Sequence, residues 1–153
     1  AKEELKMGMF TSFDINASGL TAQQYRMDII SENVANANTT RTADGTAYRR
    51  KVVTFAEKDS QTPFSRVLND ARDEYSGKGV KVSGVYEDDT TEGNRVYDPS
   101  HLDADDDGYV TYPNVNIVTE MTNLIDASRA FEANATAFTA SKAIALKGLE
   151  MGQ

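Results

Sequence analysis

The sequence contains no cysteine, a single histidine and only three prolines in 153 residues. The absence of cysteine excludes disulfides, thiolate chemistry and zinc sites built on sulfur, and it is compatible with either redox compartment. No run of eighteen apolar residues occurs, so no transmembrane helix is expected. The stretch Ala1 to Phe10 mixes Lys and Glu and has no apolar centre, so it does not read as a Sec-type signal, and passage out of the cytoplasm would need another route. Basic residues are also scarce: sixteen Lys and Arg face twenty-four Asp and Glu, a formal −8. A chain of that sign lacks the basic footprint that nucleic acid or an anionic membrane surface demands. The imbalance is uneven. Residues 41–112 carry fifteen acidic and ten basic side chains, whereas residues 1–40 contribute −2 and residues 113–153 contribute −1. Nearly neutral ends can pack together without strong self-repulsion.

Two segments follow helical periodicity. Phe13, Leu20, Met27 and Val34 recur every seven residues, Ala17 lies between the first two, and Ile30 widens the stripe. A 3–4 spacing of this kind is the seam of a helix packed on other helices. Thr11 and Asp14 have the spacing of a capping box, placing the predicted start at Thr11 and giving about 26 residues, a rod of about 40 Å. Gly19 lies inside this helix at a cost of about 1 kcal/mol relative to Ala. It marks either a close helix–helix approach between subunits or a tolerated weak point. The run Asn36 to Thr42 is rich in Asn and Thr, which compete for backbone hydrogen bonds, and reads as the helix exit. A second helix of about 30 residues is predicted from the region of Pro113, Asn114 and Asn116. Ile117, Met121, Leu124, Ser128, Phe131, Ala135, Phe138, Ala145 and Leu149 follow a 4–3 spacing there that only Lys142 breaks, and Gly148 is a candidate terminator.

Between the helices the period shifts toward two. Tyr48 to Ala56, Val80 to Val82, Arg95 to Tyr97 and Tyr109 to Tyr112 are strand candidates punctuated by Gly77, Gly79, Gly84, Gly93 and Gly108. They are short and weakly apolar, which suits hairpins that lean on helices or on neighbouring molecules. The expected fold is mainly α with a small β-rich insert: two long terminal helices pairing as a coiled coil, with short β-hairpins between them. The expected organisation is an N-terminal helical arm at 1–40, a β-rich outward-facing insert at 41–112, and a C-terminal helical arm at 113–153, the two arms forming one helical domain. Two helices cannot enclose a complete core, so each leaves apolar surface for other copies. Chains that pair heterologously build rings or open filaments.

Candidates for chemistry are few. Asp103-x-Asp105-x-Asp107-Gly108 matches the first half of an EF-hand calcium loop, but Asn114 stands where the bidentate Glu belongs and the flanking Val96-Tyr97 reads as extended. The favoured reading is a solvated acidic turn, with a calcium-responsive module as the competing one. His101 has no nucleophile pattern or second titratable partner at a recognisable spacing. Phe131 and Phe138 are explained by the seam without invoking a ligand pocket. Arg49-Arg50-Lys51 is split by a strand between two faces, and reads as a solvated surface or as a rim contact to the acidic 87–92 region of another copy. No catalytic residue, cofactor site, metal site or small-molecule substrate is predicted.

Longer motifs carry a resemblance. Phe13-Asp14-Ile15-x-Ala17-Ser18-Gly19-Leu20-Thr21-Ala22-Gln23, the Asn-rich Asn33-x-Ala35-Asn36-Ala37-Asn38-Thr39, Val96-Tyr97-Asp98-Pro99-Ser100-His101, Gly108-Tyr109-Val110-x-Tyr112-Pro113-Asn114-Val115 and Met121-x-Asn123-Leu124-Ile125-x-Ala127-Ser128-Arg129-Ala130-Phe131-Glu132-Ala133-Asn134 span nearly the whole chain. Together they resemble the flagellar basal-body rod family, and within it the shortest, proximal subunits. The charged leader Ala1 to Lys6 is longer than the family pattern. The resemblance implies a structural, self-assembling subunit of the bacterial flagellar rod, a motility drive shaft that carries torque. Its terminal helices would surround the export channel while the insert faces outward. It implies delivery by the flagellar type III export apparatus without a cleaved signal, other copies and other rod subunits as partners, and a place in the basal body outside the cytoplasmic membrane, periplasmic if an outer membrane is present. The implied inter-subunit helix seam is Leu20, Met27, Ile30, Val34, Leu124, Phe131 and Phe138, and the family motif is carried by Asn33, Ala35, Asn36, Asn38 and Thr39.

Overall fold

A computed structural model describes residues 2–58 and 78–151, with side chains described from Thr11 onward. Segment 59–77, the least informative part of the sequence, lies outside the described residues. The elements run α1 (Lys2–Ala35), β1 (Lys51–Glu57), β2 (Val80–Glu87), β3 (Asn94–Tyr97), β4 (Tyr109–Tyr112) and α2 (Ile117–Glu150). Two long helices bracket short hairpins, as the periodicity predicts. β1 pairs with β2, the ladder continued by Lys58 N–H donating to Gly79 O at 3.0 Å and by Asp88 N–H donating to Arg50 O at 2.8 Å, an antiparallel arrangement. β3 and β4 are antiparallel, with Asn94 opposite Tyr112 and Tyr97 opposite Tyr109.

The helix ends differ from the predicted ones. α1 begins at Lys2, not at Thr11, so Thr11 and Asp14 lie inside it and not at its start. Lys, Glu, Leu and Met before Thr11 are good helix formers, and only Gly8 weakens that turn. α2 begins at Ile117, not near Pro113. Asn116 caps it, its Oδ1 accepting from Val118 N–H at 3.0 Å and Thr119 N–H at 3.2 Å. α2 also passes through Gly148 to Glu150. The exit of α1 matches expectation: Asn36 donates its side-chain amide to Glu32 O, and Thr39 Oγ1 lies 3.1 Å from Asn36 Oδ1.

The chain divides into two compact units. The first contains residues 1–24, 55–83 and 129–153. In it α1 and α2 run antiparallel: Ser12 Oγ meets Ser141 Oγ at 3.3 Å, Phe13 stacks edge-on with Phe138 at 5.1 Å, and Gly19 packs beneath Asn134. A Cβ on Gly19 would lie 2.8 Å from Asn134 Oδ1. Gly19 is therefore a point of close helix approach, but within one chain rather than between subunits. Ser18 ties the β1–β2 hairpin to α1, its hydroxyl accepting from Val80 N–H at 3.1 Å and donating to Ile15 O at 2.7 Å.

The second unit contains residues 25–54 and 84–128. Its buried positions are Ile30, Asn33, Ala37, Tyr48, Val110, Pro113, Glu120 and Ala127. Half of that set is polar, small or both, so hydrogen bonding and close approach supplement apolar burial in holding this unit.

Candidate functional site

Asn33 sits on the third-last residue of α1, where the inward face of the helix meets the start of β1. It is fully buried and uses its whole hydrogen-bonding capacity. Its Nδ2 donates to Lys51 O at 2.8 Å and to Glu120 Oε2 at 3.1 Å; its Oδ1 accepts from Lys51 N–H at 2.9 Å and from Tyr48 O–H at 2.9 Å. One side chain thereby joins α1, β1 and α2. Glu120, on the first turn of α2, is equally buried, and its Oε1 accepts from Arg50 Nε and from Arg50 Nη2, both at 2.8 Å. A buried carboxylate is tolerable only when paired and hydrogen-bonded, and Glu120 is both. Burial, with the charges of Glu32, Glu87 and Glu120 behind it, pushes the Tyr48 hydroxyl up to about 12. Asn114 extends the network outward. Its Oδ1 accepts from Arg50 N–H, and its Nδ2 donates to Asp88 O and Thr91 O.

The seven expected seam residues lie on the two helices, but the inward column of α2 is displaced from the predicted one. Its shielded residues run Glu120, Leu124, Ala127, Phe131, Asn134, Phe138, Ser141 and Ala145 at strict 4–3 spacing, with Asn123, Ser128, Ala130 and Ala135 half-buried beside them. Leu124, Phe131, Phe138 and Ala145 belong to the predicted stripe. Ile117, Met121 and Leu149 of the predicted stripe lie off this column and are exposed, as is Lys142. Lys142 interrupts nothing, because it lies off the inward face. On α1 the most shielded positions are Gly19, Ala22, Ile30 and Asn33, while Leu20, Met27 and Val34 are half-buried beside them and Ala17 is exposed. Small residues take the line of closest approach and push the large ones to the flanks. α2 also keeps an outward apolar group within the second unit: Val118 is 74% exposed, Met121 53% and Ile125 54%.

Of the Asn-rich motif, Asn33 is the buried hub, Asn36 and Thr39 close the exit turn, and Ala35 and Asn38 are exposed. Glu120, Arg50 and Tyr48 escaped the sequence reading as a unit. The available signal was an acid at a seam position, four residues before Leu124.

The acidic loop is closed by protein donors. Asp103 accepts from Thr40 Oγ1 at 2.8 Å and Arg41 at 3.5 Å, while Asp105 accepts from Tyr109 N–H at 2.7 Å, Asp107 N–H at 3.1 Å and Arg95 at 2.7 Å. The bond from Tyr109 N–H, helped by Arg95, holds the Asp105 carboxyl below its ordinary range. The Ser100 hydroxyl does the same for Asp98, and the Thr90 and Thr91 hydroxyls for Asp88. Asn114, the would-be twelfth ligand, is committed to the backbone. Among the described residues no three His, Cys, Asp or Glu side chains converge on a metal-sized site. His101 accepts from Asp103 N–H at 3.1 Å, a turn contact. The basic run finds its partners in its own chain: Arg49 with Asp89 at 2.9 Å, Arg50 with Glu120, Lys51 with Glu32. Arg49 thus reaches the acidic 87–92 region within its own chain.

Two family models match the helical ends, the flagella basal body rod protein over residues 13–41 and the flagellar basal body rod FlgEFG protein C-terminal over residues 106–151. The flagellar basal-body rod protein FlgC of Bacillus subtilis (strain 168) is 43% identical over 153 residues, covering 96% of this chain and 100% of that protein. FlgC of Borreliella burgdorferi is 43% identical over 146 residues, covering 90% and 93%, and FlgC of Escherichia coli O157:H7 is 38% identical over 147 residues, covering 96% and 100%. The chain belongs to the FlgC family of flagellar basal-body rod proteins. Membership gives the polar hub a setting. The match over residues 13–41 spans Asn33 and the match over residues 106–151 spans Glu120, the two partners of this bond. A family of rod proteins is structural, and the described geometry is organised around helix pairing. Among the described residues no helix is long and apolar enough to cross a membrane.

Proposed function

We propose that this chain is a structural subunit of the proximal rod of the bacterial flagellum, polymerising through its terminal helices into the torque-transmitting shaft around the export channel. The observation that carries the reading is the outward group Val118, Met121 and Ile125 on a helix whose opposite column is already occupied within the chain. A contiguous apolar face on an otherwise satisfied helix calls for a neighbour. The half-buried Leu20, Met27 and Val34 would flank that contact, while Leu124, Phe131 and Phe138 on the inward column and Ile30, 5% exposed, would hold in place the helices that present it. The neighbours are other copies and other rod subunits, reached after export by the flagellar type III apparatus, outside the cytoplasmic membrane. In this arrangement the arms 1–40 and 113–153 make one helical domain, and the insert 41–112 faces outward.

The test is complementation of a strain lacking its own rod subunit. Val118→Asp or Ile125→Asp places a charge in that outward contact at a cost of several kcal/mol, and should leave cells non-motile without extended rods, whereas Leu124→Asp or Phe131→Asp would first disturb the helix pairing within the chain. Motile cells with intact rods would refute the outward contact.

A further inference from the structure

The excess charge of the chain is confined to one short stretch. Residues 84–112 hold nine acidic side chains and one basic, Arg95, whereas the rest of the chain holds fifteen of each sign. The formal −8 of the whole molecule therefore belongs to the end of β2, the β3–β4 hairpin and their turns. Most of those acids serve local structure: Asp88 and Asp98 close turns, and Asp89, Asp103 and Asp105 hold Arg49, Arg41 and Arg95. Glu87, Glu92, Asp106 and Asp107 are exposed and have no cation within ion-pair distance among the described residues.

The hairpin has two unlike faces, because side chains alternate along a strand. Val110 is fully buried on one. The other carries the cross-strand pairs Arg95–Thr111 and Tyr97–Tyr109. Tyr97 is 63% exposed and Tyr109 41%. Their rings meet edge-on at 5.2 Å, and the Arg95 guanidinium lies 4.9 Å above Tyr109 while Asp105 holds it at 2.7 Å. Tyr and Arg are the side chains that anchor protein interfaces, and a pair of rings already braced against each other loses little freedom on binding. Arg95, Tyr109 and Thr111 of this face, though not Tyr97, line an open groove of about 780 Å³ that Arg41, Thr46, Arg49, Glu92 and the almost wholly exposed Leu102 also line. The three arginines of the groove are each neutralised by an aspartate, so its unbalanced charge is negative.

We propose that the Tyr97–Tyr109 face of the β3–β4 hairpin, with the adjoining groove that Arg95 and Tyr109 line, is a docking surface for a basic segment of a different protein, one presenting Lys or Arg beside apolar side chains. A second copy of this chain is the wrong occupant. Its matching face carries the same sign, and the rest of its chain is balanced. The assignment goes beyond the helix-mediated assembly and is read independently of motility.

The probe is a short synthetic peptide alternating lysine and valine, with one tryptophan. This chain has no tryptophan, so the emission reports the peptide alone. The control replaces lysine by glutamate. The full chain should bind the lysine peptide, more weakly as salt rises, and not the glutamate peptide. Tyr97→Ala should weaken binding about tenfold, the scale of an interface anchor. Asp106→Asn with Asp107→Asn should weaken it less and flatten the salt dependence. Tyr97 is mostly exposed, so its removal leaves the fold intact, which circular dichroism checks. Unchanged affinity in Tyr97→Ala, equal binding of the glutamate peptide, or no binding of the lysine peptide would each overturn the proposal.

Discussion

Glu120 and Met121 are neighbours in sequence with opposite environments, the first sealed against Asn33 and Arg50 and the second open to solvent. Replacing Glu120 by Leu leaves the Arg50 guanidinium and the Asn33 amide short of an acceptor, which should cost about 3 kcal/mol. A urea titration should show an earlier midpoint. Adding Arg50→Met removes the orphaned charge, and the double variant should recover part of the loss; a double variant as unstable as Glu120→Leu alone would show that the pair is not the unit proposed. Tyr48 gives a second reading of the same network. Its hydroxyl is held up to about 12 against an ordinary value of 10.0, so the neutral form is favoured in the folded state. The stability it lends is complete below pH 10 and fades as pH climbs toward 12. Absorbance of tyrosinate should show a late-rising component that Tyr48→Phe abolishes. Asn33 was visible in the sequence as part of an Asn-rich run, but its role was not. Side-chain self-capping explains Asn36 and Thr39 but not Asn33. What Asn33 does depends on Lys51 and on Glu120, eighty-seven residues away, and no local pattern records that distance.

At the scale of the element, the strands were legible because their cause is local: β-branched and aromatic residues alternate between glycines. Their pairing was not, and the structure sets β3 against β4 with Tyr97 opposite Tyr109. The helices were legible in period but not in rotation. A heptad count follows the large apolar side chains, whereas the positions closest to full burial are small ones, Gly19 and Ala22 in the first unit and Ala127 in the second, with the large side chains half-buried. Gly19 tests this. Alanine would be favoured by about 1 kcal/mol on helix propensity alone, yet a Cβ there meets Asn134 Oδ1 at 2.8 Å. Gly19→Ala should therefore stabilise less than propensity predicts, or destabilise. Gly19→Ala with Asn134→Ala should recover the propensity gain in thermal melts. If Gly19→Ala alone gains the full amount, the helices are not in close approach at that point.

For the whole molecule, the composition separated a charged middle from two neutral arms, and that separation reappears as chemistry. Neutral arms supply helices that pair, and the acidic stretch supplies a hairpin with a bare aromatic face. What composition could not give is which apolar surface remains after the chain has folded. The predicted seam counted residues that the chain uses internally, and overlooked Val118 as an outward one. Met121 decides between internal and external roles, because it is 53% exposed while its neighbour Glu120 is fully buried. Met121→Asp should leave the isolated chain unchanged in helicity and in its urea midpoint, within about 0.5 kcal/mol, as expected of an exposed position. The same variant should fail to restore motility, since an unpaired carboxylate cannot enter a dry helix contact between subunits. Glu120→Leu should behave the other way round in the first assay, lowering stability before any partner is present. If Met121→Asp restores swimming, the outward face of α2 is not an assembly surface, and the contact between subunits must be sought on the flanks of Leu20, Met27 and Val34 instead.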